Sequence, residues 1–219
     1  MAEKMLVTQG LDERDLLVKK IGDKIKKMKL VDVKKVNEEK TADTRETQEE
    51  FGKNAQAAFQ QIMDLIDRYQ RLDAAIIESN ATHWVETSYG RYTVASAIAL
   101  RARLKGDGIY REDGAFEDTL ADALEAQYSA AVRAADIKNK ALESQAESMR
   151  LSILGKDVKS KDVKPLEVVD AYIRENTTDV IDPLDAQKKQ AELRERIDTL
   201  LSELDTRIKV SNATTTIEF

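Results

Sequence analysis

Between His83 and Arg111 the chain gathers His83, Trp84, Tyr89, Arg91, Tyr92, Arg101, Arg103, Tyr110 and Arg111, including its only histidine and its only tryptophan. Aromatic faces stack on nucleobases, and arginine pairs bidentately with phosphate or carboxylate. The mixture therefore suits a small, anionic, nucleotide-like ligand. The same residue types are enriched where protein surfaces meet, so an interface stands beside the ligand reading, and a pocket formed between copies would satisfy both.

Catalysis is not indicated. His83 offers at most one general base, and no spacing supplies the nucleophile, metal or charge stabiliser that hydrolysis also needs. With no cysteine and one histidine, thiolate chemistry, Cys-rich zinc sites, iron–sulfur clusters and ferritin-like di-iron centres are excluded. The pairs Asp64/Asp67 and Glu143/Glu147 have helical spacing and carboxylates suited to magnesium. Among 41 acidic residues they read as solvated faces. No catalytic residue, metal or cofactor is expected.

The elements that position these residues are helical. Of 219 residues, 35% are charged and only 5% aromatic, with 8 Gly and 2 Pro, a composition that fits long amphipathic helices. Apolar steps of three and four predict a helix over 3–30, then a polar connector over 31–54 and a second helix over 55–79. Residues 81–87, rich in β-branched and aromatic side chains, read as a short strand followed by a turn at Ser88-Tyr89-Gly90. Thr93 caps a helix over 94–105, which Gly106-Asp107-Gly108 stops. A very long helix runs over 116–154. A charged linker over 155–164 precedes a short helix from Pro165 to Asn176. The last helix runs over 184–210, with Asp182 as its cap and Pro183 in its first turn. The expectation is one all-α domain over 1–219: a bundle of long antiparallel helices with two pseudo-repeated halves, about 1–90 and 116–219, and a loop insertion at 106–115.

The repeat is explicit. Leu72-Asp73-Ala74-Ala75-Ile76-Ile77-Glu78-Ser79-Asn80-Ala81-Thr82 and Leu204-Asp205-Thr206-Arg207-Ile208-Lys209-Val210-Ser211-Asn212-Ala213-Thr214 share seven of eleven residues, and Glu86 matches Glu218 at the same offset. Ser79, Asn80, Thr82, Ser211, Asn212 and Thr214 are read as stop signals. Asparagine tolerates the left-handed conformation, hydroxyls cap loose backbone groups, and β-branched residues then favour extension. Two short β segments would follow these ends and could pair with each other, within a chain or between chains; a backbone nest holding an anion is the alternative use.

Together with the Gly90-Arg91-Tyr92-Thr93-Val94 approach to an Ala-rich helix and the Leu16-Leu17-Val18-Lys19-Lys20-Ile21 opening, the repeated motif resembles the septicolysin-like family of small helical bacterial and phage proteins. The resemblance covers nearly the whole chain, although the segments 106–115 and 155–176 look longer than the family pattern. It implies an all-helical homo-oligomer, a hexamer by that analogy, without established catalytic residues.

A formal charge of −6 gives no global attraction to nucleic acid or anionic membrane. Lys19–Lys40 carries a local charge of +5, from nine lysines against four acidic residues. It lacks arginine and aromatics and reads as a solvated face. No run of apolar residues spans a bilayer and no signal peptide is recognised, so a cytoplasmic protein with no membrane partner is expected. The long stripe on 116–154 is more than a monomer of this size can cover, which points to self-association. Two functions follow. One is a non-enzymatic homo-oligomer that sequesters a nucleotide-like ligand at subunit junctions, as a phage sponge would; the other is a structural, virion-type assembly component without a ligand.

Overall fold

The computed structural model describes residues 3–108, 115–154 and 164–219. Among them run β1 (Lys4–Leu6), α1 (Val7–Lys27), α2 (Gln48–Thr82), β2 (Trp84–Thr87), β3 (Gly90–Thr93), α3 (Val94–Leu104), α4 (Phe116–Leu154), α5 (Lys164–Asn176), α6 (Ala186–Thr214) and β4 (Thr216–Glu218). The fold is predominantly helical, as its composition requires, with two antiparallel ribbons, β1–β4 and β2–β3. The chain divides into two compact units, Met1–Ala102 with Leu200–Phe219, and Arg103–Thr199.

In the first unit α1 lies antiparallel on α2. Arg14 meets Asp73 at 3.2 Å, Glu13 meets Arg68 at 2.6 Å and Lys24 donates to Gln61 at 2.9 Å. Their shared core holds Val7, Leu17, Leu72 and Ile76, closed by Ile217 from β4. Burying such side chains contributes about 1.5–3 kcal/mol each. Gly10 allows this closure, since a Cβ there would lie 2.8 Å from Ile217 Cδ1 and 3.3 Å from Leu72 Cδ1.

Residues 4–6 depart from the expected helix. Leu6 is extended (φ −69°, ψ 148°), and Lys4, Met5 and Leu6 pair with Glu218, Ile217 and Thr216. Apolar residues at 5 and 6 suit a helix or a strand, and a partner strand from the far end of the sequence decides between them. The helix α2 starts seven residues earlier than its apolar period implies. A reciprocal cap at Thr47 and Glu50 starts it, Thr47 N–H and Oγ1 donating to the Glu50 carboxylate and Glu50 N–H to Thr47 Oγ1, a device that serves otherwise orphaned end amides.

The connector before it is organised by Asp32, whose carboxylate accepts from the backbone of Val33, Asp43 and Thr44 and from Thr44 Oγ1. These donors hold it down at about 2. Lys29 pairs with Asp43 in the same loop.

In the second unit α5 runs antiparallel to α4. Arg150 pairs with Asp170 at 2.9 Å, Tyr172 donates to Gln145 at 3.3 Å, and the Asn139 amide exchanges two hydrogen bonds with the backbone of Thr178. Arg194 joins the early part of α6 to Asp122 and Glu125 of α4. The start of α6 is later than expected. Asp182 accepts from the amides of Leu184 and Ala186, so it does cap, but Pro183 sits in a turn and Asp185 turns left-handed (φ 54°) before the helix begins at Ala186. The linker predicted over 155–164 falls outside the described residues except for Lys164, the first residue of α5.

Candidate functional site

The Ser-Asn-Ala-Thr motifs are the last turns of α2 and α6. Neither Asn80 nor Asn212 adopts the left-handed conformation, which corrects the expected stop mechanism. Threonine closes each helix instead. Thr82 Oγ1 donates to the carbonyls of Glu78 and Ser79, and Thr214 Oγ1 to those of Val210 and Ser211. The next residue spends its amide on the same serine carbonyl, His83 on Ser79 at 3.0 Å and Thr215 on Ser211 at 2.9 Å, and the chain then leaves as a strand. The strands that follow do not pair with each other: β2 pairs with β3, and β4 with β1. A strand of three or four residues needs a partner with matching edge groups, and the partners arise in segments whose relation the repeat alone does not reveal.

That relation is a second internal repeat. Residues 4–17 and 91–104 correspond at a constant offset, through Val7/Val94, Arg14/Arg101 and Leu17/Leu104. The structure doubles several fixtures along it. Val7 N–H donates to Thr215 O, as Val94 N–H does to His83 O, both at 2.9 Å. Arg14 pairs with Asp73 at 3.2 Å and Arg101 with Asp205 at 3.0 Å. Lys4 pairs with Glu218, as Arg91 faces Glu86. Leu6 N–H donates to the Gln9 side chain, and Ser96 N–H to Thr93 Oγ1. Buried apolar residues coincide as well: Leu72 with Leu204, Ile76 with Ile208, Val85 with Ile217.

This frame distributes the nine chemistry-bearing residues. His83 follows the end of α2 with its backbone amide and its Nδ1 both donating to Ser79 O, at 3.0 and 2.9 Å, so the imidazole serves the helix end. Trp84, 53% exposed, lies on β2, and the Arg91 guanidinium stacks over it at 4.9 Å. Tyr92 is the ladder partner of Val85, and Tyr89 stands in the ribbon turn. That turn is tied to α6, because Ser88 donates its N–H and hydroxyl to Glu203 at 2.7 and 2.5 Å, holding the carboxylate below its usual range.

Arg101 points instead to Asp205. Arg103 makes a bidentate pair with Glu117, both contacts 2.7 Å, and stacks over Phe116; the pair holds the Glu117 carboxyl low. Trp84 and Arg91 are thus brought together, while Arg101 and Arg103 are engaged elsewhere. Tyr110 and Arg111 lie outside the described residues.

Among the described residues no three His, Asp or Glu side chains converge to hold a metal, and no helix is long and apolar enough to cross a membrane. An apolar groove of about 590 Å³ between α4 and α5 is lined by Gln145, Met149, Ile153, Val168, Val169 and Tyr172, with Ser148 and Ser152 at its side. The sequence signalled half of it, Met149 and Ile153 on the α4 stripe; the α5 half follows from Val168 and Val169, four and three residues before Tyr172. Compared with protein-family models, curated proteins and solved structures, the chain matches none.

Proposed function

We propose that this chain is a non-catalytic helical protein that works by associating with copies of itself. The groove between α4 and α5 carries the reading. Val168 is 67% exposed there beside Met149 and Ile153, and Leu151 and Ile137 add further exposed apolar surface to α4. Contiguous apolar patches of this kind mark protein-interaction sites.

The occupant is a second copy of the same face. The rim carries both signs, Glu147 and Asp170 around Arg150, so a two-fold related copy meets it with opposite charges. Sedimentation and native mass spectrometry test this. The wild-type chain is expected above 24.6 kDa, and Val168→Glu with Met149→Glu is expected to return it to a single chain with unchanged helix content. A wild-type chain that stays single at tens of micromolar overturns the proposal.

A second reading, sequestration of a nucleotide-like anion without turnover, is favoured by one observation. Arg91 and Trp84 form an exposed stacked pair on β2–β3, an aromatic face on which a base would stack beside a cation that would meet a phosphate. Calorimetry with a nucleotide panel distinguishes it, since Arg91→Ala should abolish heat that the wild type gives. No heat with any wild-type titration removes this reading and leaves self-association standing.

A further inference from the structure

Sequence alone reads Lys19–Lys40 as a solvated lysine face. The structure adds that this stretch ends in an ordered loop with valines held outward. Asp32 is turned in, accepting from the amides of Asp43 and Thr44 and from Thr44 Oγ1. Its neighbours Val31 and Val33 are 80% and 69% exposed, and Val36, at the turn, is 100% exposed. The backbone around them is bonded, Ala42 N–H to Val33 O at 2.8 Å and Glu38 N–H to Lys35 O at 3.1 Å, so the exposure belongs to the conformation of the loop. Single apolar residues scattered over a surface are ordinary. Three valines crowded into residues 31–36, among lysines, are a patch.

The charge around the patch is positive. Lys24, Lys26 and Lys27 lie in the last turn of α1, and Lys34 and Lys35 separate Val33 from Val36. Lys29 and Lys35 are paired with Asp43 and Glu38, whereas Lys26, Lys27 and Lys34 carry charge that no acidic side chain offsets among the described residues. A recess of about 300 Å³ at the end of α1 repeats the combination, with Lys24 and Lys27 beside Met28, Ala58 and Ile62. The loop follows the C-terminal end of α1, and β1 precedes its other end, about 30 Å away over 21 residues.

We propose that this end of the α1–α2 pair docks on an anionic bilayer surface, its lysines meeting lipid headgroups and Val31, Val33 and Val36 entering the boundary with the acyl chains. Such docking needs no spanning helix, and it replaces the sequence expectation of no membrane partner with a peripheral one. Charge complementarity selects an anionic surface, to which each nearby basic residue adds attraction. The choice of lipid over nucleic acid rests on composition: residues 19–44 contain neither arginine nor an aromatic side chain to stack on a base, and exposed valines give a phosphate backbone nothing. The choice over a protein partner rests on shape. A side chain as fully exposed as Val36 lines no groove that a partner could fill, whereas a fluid boundary receives it without matching contours.

Flotation with phosphatidylcholine vesicles containing about 30 mol% phosphatidylserine, beside vesicles of phosphatidylcholine alone, tests the proposal. The wild-type chain is expected to float with the anionic vesicles only, and to be released as salt rises from about 0.05 to about 0.5 M. Lys26→Gln with Lys34→Gln should lower partition about thirtyfold, about fivefold for each lysine. Val33→Thr with Val36→Thr, which leaves the charge unchanged, should lower it about tenfold, because two methyl groups no longer leave water. All four positions are exposed, so helix content and unfolding midpoint should match wild type and assign the loss to the surface.

A wild-type chain that stays unbound, or that binds both vesicle compositions equally, overturns the proposal. So does a valine variant that partitions like wild type, since lysines alone would then account for the contact. A chain that retains single-stranded RNA and ignores the vesicles gives the face to nucleic acid instead.

Discussion

The β1–β4 and β2–β3 ribbons each have a seat of equivalent positions at the start of the following helix, and the two seats differ by one transposed group. Gly10 faces Ile217 in the first, and the equivalent positions in the second are Ala97 and Val85; Ile217, Ala97 and Val85 are each exposed by 5% or less. The larger strand residue accompanies the smaller helix residue, and the reverse. Substituting Gly10→Ala in a helix interior would gain about 1 kcal/mol from backbone entropy alone. The added Cβ, however, would lie 2.8 Å from Ile217 Cδ1, with Leu72 and Ile76 methyls at 3.3 and 3.6 Å from the same point, so the Ile217 methyl must shift within a buried core. Overpacking of this kind costs about 1–3 kcal/mol, and the net expectation is a loss of about 1 kcal/mol.

Ile217→Val removes that Cδ1 methyl and costs about 0.5–1.5 kcal/mol by itself. In the double variant the first seat carries the side chains of the second, and both penalties overlap. A favourable coupling of about 1–2 kcal/mol should appear in a double-mutant cycle. Urea unfolding of the four proteins, followed by circular dichroism, measures it. If Gly10→Ala stabilises the wild-type background, or the two changes add within about 0.5 kcal/mol, the equivalence of the seats is wrong.

Two other expectations follow from named contacts. The Arg14–Asp73 and Arg101–Asp205 pairs are about two-thirds buried on both sides, so Arg14→Ala and Arg101→Ala should each cost about 0.5–1 kcal/mol and add to one another; a loss at one position only, read by the same unfolding assay, contradicts their equivalence. Asp32 is depressed from 3.8 to about 2 by its backbone and hydroxyl donors, so the order it lends residues 31–47 is complete above about pH 4 and is lost as pH falls through 2. Hydrogen exchange of that connector should separate wild type from Asp32→Asn at pH 7 and cease to separate them near pH 2, and an unchanged difference across that range refutes the role of the charge.

The long helices were legible because their apolar residues recur with a local period. The bounds found for α4 are those its stripe predicts, and the repeat ending at Thr82 and Thr214 marks two equivalent helix ends. The rest depends on partners distant in sequence. Nothing near Lys4 states that it will pair with Glu218, and Met5 and Leu6 fit a helix until β4 is present. The arginines illustrate the same limit. Between Trp84 and Arg111 they look like a cluster, but Arg101 is used by Asp205, far along the chain, and Arg103 by Glu117, beyond the break in pattern at Gly106-Asp107-Gly108. Among the described arginines only Arg91, whose partner is a few residues away on the same hairpin, stays with Trp84. The second repeat was harder to see because its matches, Val7/Val94, Arg14/Arg101 and Leu17/Leu104, are isolated identities on a helix face rather than a run.

The two halves also show where a function can differ while the frame stays fixed. Between α1 and α2 the interval 28–47 is a polar connector organised by Asp32, whereas between α3 and α6 the interval 105–185 carries α4 and α5. The fixtures common to both halves are core contacts, caps and ion pairs, all of them needed to hold strand, helix and helix tip together. What the second half adds is an apolar groove with exposed Met149, Ile153 and Val168, surface that costs solubility and contributes nothing to closing either ribbon. Substitutions in the shared fixtures should therefore register as lost stability in unfolding experiments, and substitutions at Met149 or Val168 as altered association with stability unchanged or improved. A Val168→Glu chain that unfolds more easily than wild type under conditions where both are single chains would place the groove among the structural fixtures instead.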